Sequence, residues 1–162
     1  MRSLNAIVVI ALLVLAGGVS GLAQTAEAQA QQEISDLLNR YARAYERKDV
    51  ETIMAMIAPG PNTVFVYPGP GGLYVGKSNI KTVYERDFAK FVSATIDSTS
   101  VSIEARGKVA WFASEWVATL DMGDGEVTIP ARWTAVLEKR NGKWLFVQSH
   151  FSYEPVEPKE SH

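Results

Sequence analysis

From about residue 95 the chain falls into four strand-like runs, at about 95–105, 108–121, 126–139 and 143–153. Only short turn signals separate them: Arg106-Gly107, Gly123-Asp124-Gly125 and Asn141-Gly142. Such short connections can join only antiparallel neighbours, because a parallel return needs a crossover of a dozen or more residues. Helical periodicity lies earlier. Ile34, Leu37, Leu38, Tyr41 and Tyr45 recur at helical spacing and stop near Lys48. Asp49 suits the N-cap of a short second helix burying Val50, Ile53, Met54 and Ile57, and Ile80, Val83, Tyr84, Phe88 and Phe91 mark a third. Helices followed by a long antiparallel meander predict an α+β domain, and 162 residues suit one such domain with a substantial core.

That order bears on a motif that points elsewhere. "GGLYVGKS", residues 71–78, matches the phosphate-loop pattern G-x-x-x-x-G-K-[ST], after a strand-like run at 62–67 and before the third helix. A phosphate-loop domain is a parallel sheet with helices between its strands, which the meander forbids. Leu73-Tyr74-Val75 is β-prone rather than a compact nest of amides. The expectation is a short strand closed by Gly76, with Ser78 or Asn79 capping the third helix and no nucleotide bound.

The first thirty residues read as a leader, not as fold. Arg2 precedes the apolar stretch from Ala6 to Val19, and small-x-small cleavage sites end at Ala23, Ala28 and Ala30. A membrane span needs about twenty apolar residues, so a stable anchor after processing is not expected. Residues 31–153 form the expected domain and 154–162 a disordered polar tail. Export to the periplasm or the extracellular space follows. The chain has no cysteine, which excludes disulfides and thiolate chemistry. A net charge of −2 without a basic cluster gives nucleic acid no electrostatic footprint. His150 is one of two histidines, and the other, His162, lies in the tail, so no metal or cofactor site is legible.

Two N-terminal helices, an aromatic strand, a glycine before the third helix and a long meander together resemble a SnoaL-like domain, of the nuclear-transport-factor-like or cystatin-like cone superfamily. The ending "ARWTAVLEKRNGKWLFVQSHFS", residues 131–152, is similar to the family's R-x-T-x-V…G-x-W…H-x-S pattern through Arg132, Thr134, Val136, Gly142, Trp144, His150 and Ser152. Gly76 fits the glycine before the third helix. The resemblance implies N-terminal helices packed in the concave face of a curved, mainly antiparallel sheet, with an internal pocket. It also implies dimers formed through the outer sheet face. It does not imply one activity, because this fold hosts enzymes and non-catalytic assembly domains alike.

Register can be read from the turns. A three-residue turn over Arg140–Gly142 sets Arg132 opposite His150, Thr134 opposite Gln148 and Val136 opposite Phe146. A two- or four-residue loop at Gly123-Asp124 sets Glu115 opposite Arg132 and Trp111 opposite Val136. Alternation then gives two faces. One is mixed, with Trp111, Glu115, Arg132, Thr134, Val136, Trp144, Phe146, Gln148, His150 and Ser152. The other is apolar, with Trp116, Trp133, Leu137, Val147 and Phe151. The mixed face is expected under the helices as a ligand pocket, and the apolar face as the homodimer contact.

In that arrangement His150 is the candidate general base, with Arg132 and Glu115 tuning it or holding an oxyanion. Tyr41, Tyr67, Tyr84 and Trp111 supply walls, and Thr134, Gln148 and Ser152 supply polar contacts. The expected ligand is a small, largely apolar molecule with a carbonyl or carboxylate, undergoing proton transfer, dehydration or hydrolysis. The alternatives are a non-catalytic binding module and a dimeric assembly domain.

Overall fold

The computed structural model describes the backbone of residues 4–153, and side chains from Gln24 onward except Thr99. Helix α1 (Leu4–Glu46) leads into α2 (Val50–Ala55), two short strands β1 (Val64–Val66) and β2 (Leu73–Val75), and α3 (Lys77–Phe88). The meander follows as β3 (Ser93–Arg106), β4 (Val109–Asp121), β5 (Glu126–Arg140) and β6 (Lys143–Tyr153). The six strands make one sheet in the order β2-β1-β6-β5-β4-β3, antiparallel throughout except where β1 runs parallel to β6. The leader expected over residues 1–30 enters α1 at Leu4, with side chains described only from Gln24. The tail expected at 154–162 lies outside the described residues.

The helices follow from their own sequence. In α1 the residues Ile34, Leu37, Leu38, Tyr41 and Ala44 form one buried stripe. Asp49 caps α2, accepting from the Thr52 amide at 2.9 Å and its hydroxyl at 2.6 Å. Gly76 (φ 84°), not Ser78 or Asn79, occupies the N-cap of α3, and the Asn79 amide instead bonds back to the Val75 carbonyl. The phosphate-loop motif is therefore a strand, a left-handed glycine and a helix start. Its lysine, Lys77, donates to the Ile57 carbonyl at 3.2 Å.

Two features of the register differ from the sequence expectation. Arg140 pairs with Lys143, so the β5–β6 turn has two residues, and Asn141 (φ 51°) and Gly142 (φ 77°) both take the left-handed conformation of such a turn. A bulge then inserts Val147 between Phe146 (opposite Leu137) and Gln148 (opposite Val136). As a result Thr134 faces His150 and Arg132 faces Ser152. The pairs Glu115–Arg132 and Trp111–Val136 stand as read from the sequence.

Over β4, β5 and the end of β6 the faces are reversed, whereas Trp144 and Phe146, which precede the bulge, are buried as expected. Phe112, Trp116, Trp133, Ala135 and Leu137 lie under the helices, at 0–6% exposure. Trp133 packs on Tyr41 of α1 with ring centroids 4.7 Å apart. The mixed face, with Trp111 at 44% exposure and Glu115, Arg132, Thr134 and His150 all exposed, is the outside of the sheet. The physical reason is area. Burying a large apolar side chain stabilises by about 1.5–3 kcal/mol, so the face with more ring carbon takes the helices. The polar face then avoids an uncompensated burial of charge. The dimer contact expected through Trp116, Trp133, Leu137 and Phe151 is thus interior, and Val147 belongs to the bulge.

Candidate functional site

Where α1 and α3 diverge above the sheet, a cavity of about 250 Å³ remains. Tyr41 and Tyr45 enter it from α1 and Tyr67 from the end of β1. The sheet contributes Trp116, Ala118 and Leu120 from β4, Ile129 and Ala131 from β5, and Phe151 from β6. These strand residues are small, aliphatic and aromatic members of the inward-pointing set, placed two apart along β4 and β5 as a strand requires. Small residues at 118 and 131 leave the space that the rings surround. Tyr67 stacks on Phe151 at 5.4 Å with an interplanar angle of 19°, and Phe151 stacks on Trp133 at 4.8 Å.

The polar groups divide by depth. At the buried end Tyr41 Oη and Tyr84 Oη share a hydrogen bond of 2.6 Å. The Tyr67 hydroxyl is buried beside them and makes no hydrogen bond of normal geometry. Burial pushes the Tyr41, Tyr67 and Tyr84 phenols far above their ordinary pKa. Tyr45 rises to about 12, from burial and then from the Asp87 carboxylate. Each phenol is therefore a neutral hydrogen-bonding group at physiological pH, not a base. At the solvent end Asp87 accepts from Arg86 Nε at 3.1 Å and from Lys90 Nζ at 2.8 Å. Arg86 also donates to the Tyr74 hydroxyl at 3.1 Å.

Of the residues singled out from the sequence, Tyr41 and Tyr67 line this cavity, and Tyr84 stands behind them. Arg132, His150, Glu115, Trp111, Thr134, Gln148 and Ser152 do not reach it. Their neighbours Ala131, Trp133, Phe151 and Trp116 point inward, so alternation turns them to the outer face. His150 cannot act as a base on anything held in this cavity. Trp116, Phe151, Arg86, Asp87 and Lys90 were not foreseen as pocket residues. Trp116 and Phe151 were legible as members of the more apolar face, and the charged trio as the polar side of α3 and its end.

Larger clefts lie elsewhere, among them two of about 440 and 480 Å³. In the first, the Glu33 carboxylate is engaged by Lys139 at 2.6 Å, Trp144 Nε1 at 2.8 Å and Gln29 at 3.0 Å. The second is a surface groove between the 59–63 loop and the strand ends. Among the described residues no group of three His, Asp or Glu side chains converges as a metal site would.

Comparison with solved structures identifies the fold. A nuclear transport factor 2 (NTF2-like) superfamily protein from Salmonella enterica serovar Typhimurium superposes with a TM-score of 0.72 at 23% identity, covering 83% of this chain and 98% of that one. A provisionally named scytalone dehydratase from Novosphingobium aromaticivorans gives a TM-score of 0.72 at 14% identity, covering 79% and 86%. A cystatin-like protein of unknown function from Nostoc punctiforme gives 0.66 at 19%, covering 79% and 93%. No curated protein matches in sequence. At these identities the likeness speaks for the fold alone. A family model matches in sequence over residues 34–157, from the buried stripe of α1 to beyond the end of β6, and by that match the chain belongs to the SnoaL-like domain family.

Proposed function

We propose that this domain holds a small, largely apolar molecule bearing a carbonyl or carboxylate in the cavity between α1, α3 and the sheet. The observation that carries this reading is the buried Tyr67 hydroxyl, left without a hydrogen-bond partner in an aromatic wall. An unsatisfied buried hydroxyl costs about 1–3 kcal/mol, and a ligand acceptor would remove that cost. Binding is favoured over catalysis because the phenols are held neutral. Asp87, the only carboxylate lining the cavity among the described residues, is already paired with Arg86 and Lys90. The dehydratase among the solved relatives supports small-molecule use of such a cavity.

Export belongs to this proposal. Processing after Ala23 would keep the ion pair of Glu27 with Arg106 at 3.0 Å and the buried Ala30 within the domain. Processing after Ala30 would remove both.

The test is to fill the space. Ala131→Trp should abolish binding of aromatic carbonyl compounds in calorimetric titration while the protein still unfolds cooperatively. Unchanged binding by a folded Ala131→Trp protein would place the ligand elsewhere.

A further inference from the structure

Three phenols, those of Tyr41, Tyr67 and Tyr84, meet at the buried end of the cavity, and each brings one O–H donor. The hydrogen bond formed among them joins Tyr41 and Tyr84 and uses one of the three protons, whichever way it points. Tyr84 is not part of the cavity lining, whereas Tyr41 and Tyr67 are. The unpartnered hydroxyl is that of Tyr67. The deep end of the cavity thus offers a neutral donor and calls for an acceptor atom.

The shallow end has the opposite requirement. Arg86, Asp87 and Lys90 line it together, two cations to one carboxylate. Their side chains are 51%, 28% and 58% exposed, so this end opens to solvent. Two of the five guanidinium N–H donors of Arg86 go to Asp87 and Tyr74, and the fork can still accept an anion.

We infer that the ligand is a planar aromatic monoanion with polarity along its length: an uncharged oxygen acceptor enters first and takes the Tyr67 hydrogen bond, while a carboxylate stays at the mouth against Arg86 and Lys90. This rests on the pocket reading above and specifies its ligand class and orientation. Tyr67 is then the specificity-determining residue for the acceptor, and Arg86 for the anion. The aromatic body lies between Tyr45, Trp116 and Phe151, whose ring faces suit a flat molecule.

Three probes separate the two ends in calorimetric titrations of the full chain. 4-Acetylbenzoate carries both groups, 4-isopropylbenzoate keeps the shape and charge without the acceptor, and 4-methylacetophenone keeps the acceptor without the charge. The wild type should prefer 4-acetylbenzoate over each of the others by about fivefold, the range expected for one net hydrogen bond. Tyr67→Phe should erase the preference for acetyl over isopropyl and leave the carboxylate preference. Arg86→Met should do the reverse. Equal wild-type affinity for the acetyl and isopropyl compounds would overturn the inference without touching the pocket reading, and it needs no variant to fold. An acetyl preference that survives in Tyr67→Phe would overturn it as well. No binding of any probe by folded wild type would remove the pocket reading itself.

Discussion

Trp133 is the residue on which the interior turns, and its indole–Ser149 bond gives a prediction that can be worked through. The side chain is 0% exposed, and its rings lie 4.7–5.4 Å from those of Tyr41, Phe112, Trp116, Phe146 and Phe151. Its Nε1–H donates to Ser149 Oγ at 2.6 Å, and Ser149 is also 0% exposed. Trp133→Ala should cost about 3–5 kcal/mol, the range for emptying a buried aromatic site. Against a total stability of about 5–15 kcal/mol, that leaves a marginal protein. Trp133→Phe keeps most of the ring contact but strands the serine hydroxyl, and Ser149→Ala strands the indole N–H. Each should cost about 1–3 kcal/mol. Because both remove the same bond, the double variant should fall short of their sum by about 1 kcal/mol. Urea unfolding followed by far-ultraviolet circular dichroism measures the four variants against the wild type. Strict additivity would show that the bond does not contribute. Wild-type stability in Trp133→Phe, with a change only in association state, would show that this face lies outside and that the register is wrong.

Three further outcomes follow from the structure. Burial holds the folded pKa of Tyr45 at about 12, above the ordinary 10.0, so the unfolded chain loses its phenolic proton first. Stability should be level below pH 10 and fall between pH 10 and about 12, and Tyr45→Phe should lessen that fall in denaturant titrations across the range. On the outer face, Trp111 (44% exposed), Leu73 (63%) and Val75 (44%) share the sheet surface with the opposed charges Glu115 and Arg132, a surface that a two-fold copy could complement. Sedimentation should report a dimer that Trp111→Glu dissociates, and a wild-type monomer at high concentration would remove this contact. Because Lys77 bonds the Ile57 carbonyl, Mg-ATP and Mg-GTP should show no calorimetric binding. Lys77→Ala should cost about 1 kcal/mol in urea unfolding, and micromolar nucleotide affinity lost in that variant would restore the phosphate loop.

Local rules written in the sequence set the elements. Runs at about 95–105, 108–121, 126–139 and 143–153 became strands Ser93–Arg106, Val109–Asp121, Glu126–Arg140 and Lys143–Tyr153, because turn residues act within a few positions of themselves. The Asp49 cap and the stripe from Ile34 to Ala44 were legible for the same reason. So was the α+β order, since short connections admit no parallel return. Which side of the sheet faces the helices was not legible, because alternation defines two faces without saying which is inside. The two-residue turn at Asn141-Gly142 and the bulge at Val147 each shift the register by one residue, and only the packed strands reveal them. The site went with the faces. Tyr41 could be read as a wall residue from its place on an apolar stripe, whereas Arg132 and His150 lie on the face that packing turned outward; the two shifts sum to two residues and leave both on that one face. The cavity itself, small side chains at Ala118 and Ala131 ringed by Tyr67, Trp116 and Phe151, exists only once β4, β5, β6 and α1 are brought together. Its unpartnered phenol is likewise a property of tertiary packing, since burial, not residue type, decides whether a hydroxyl lacks a partner.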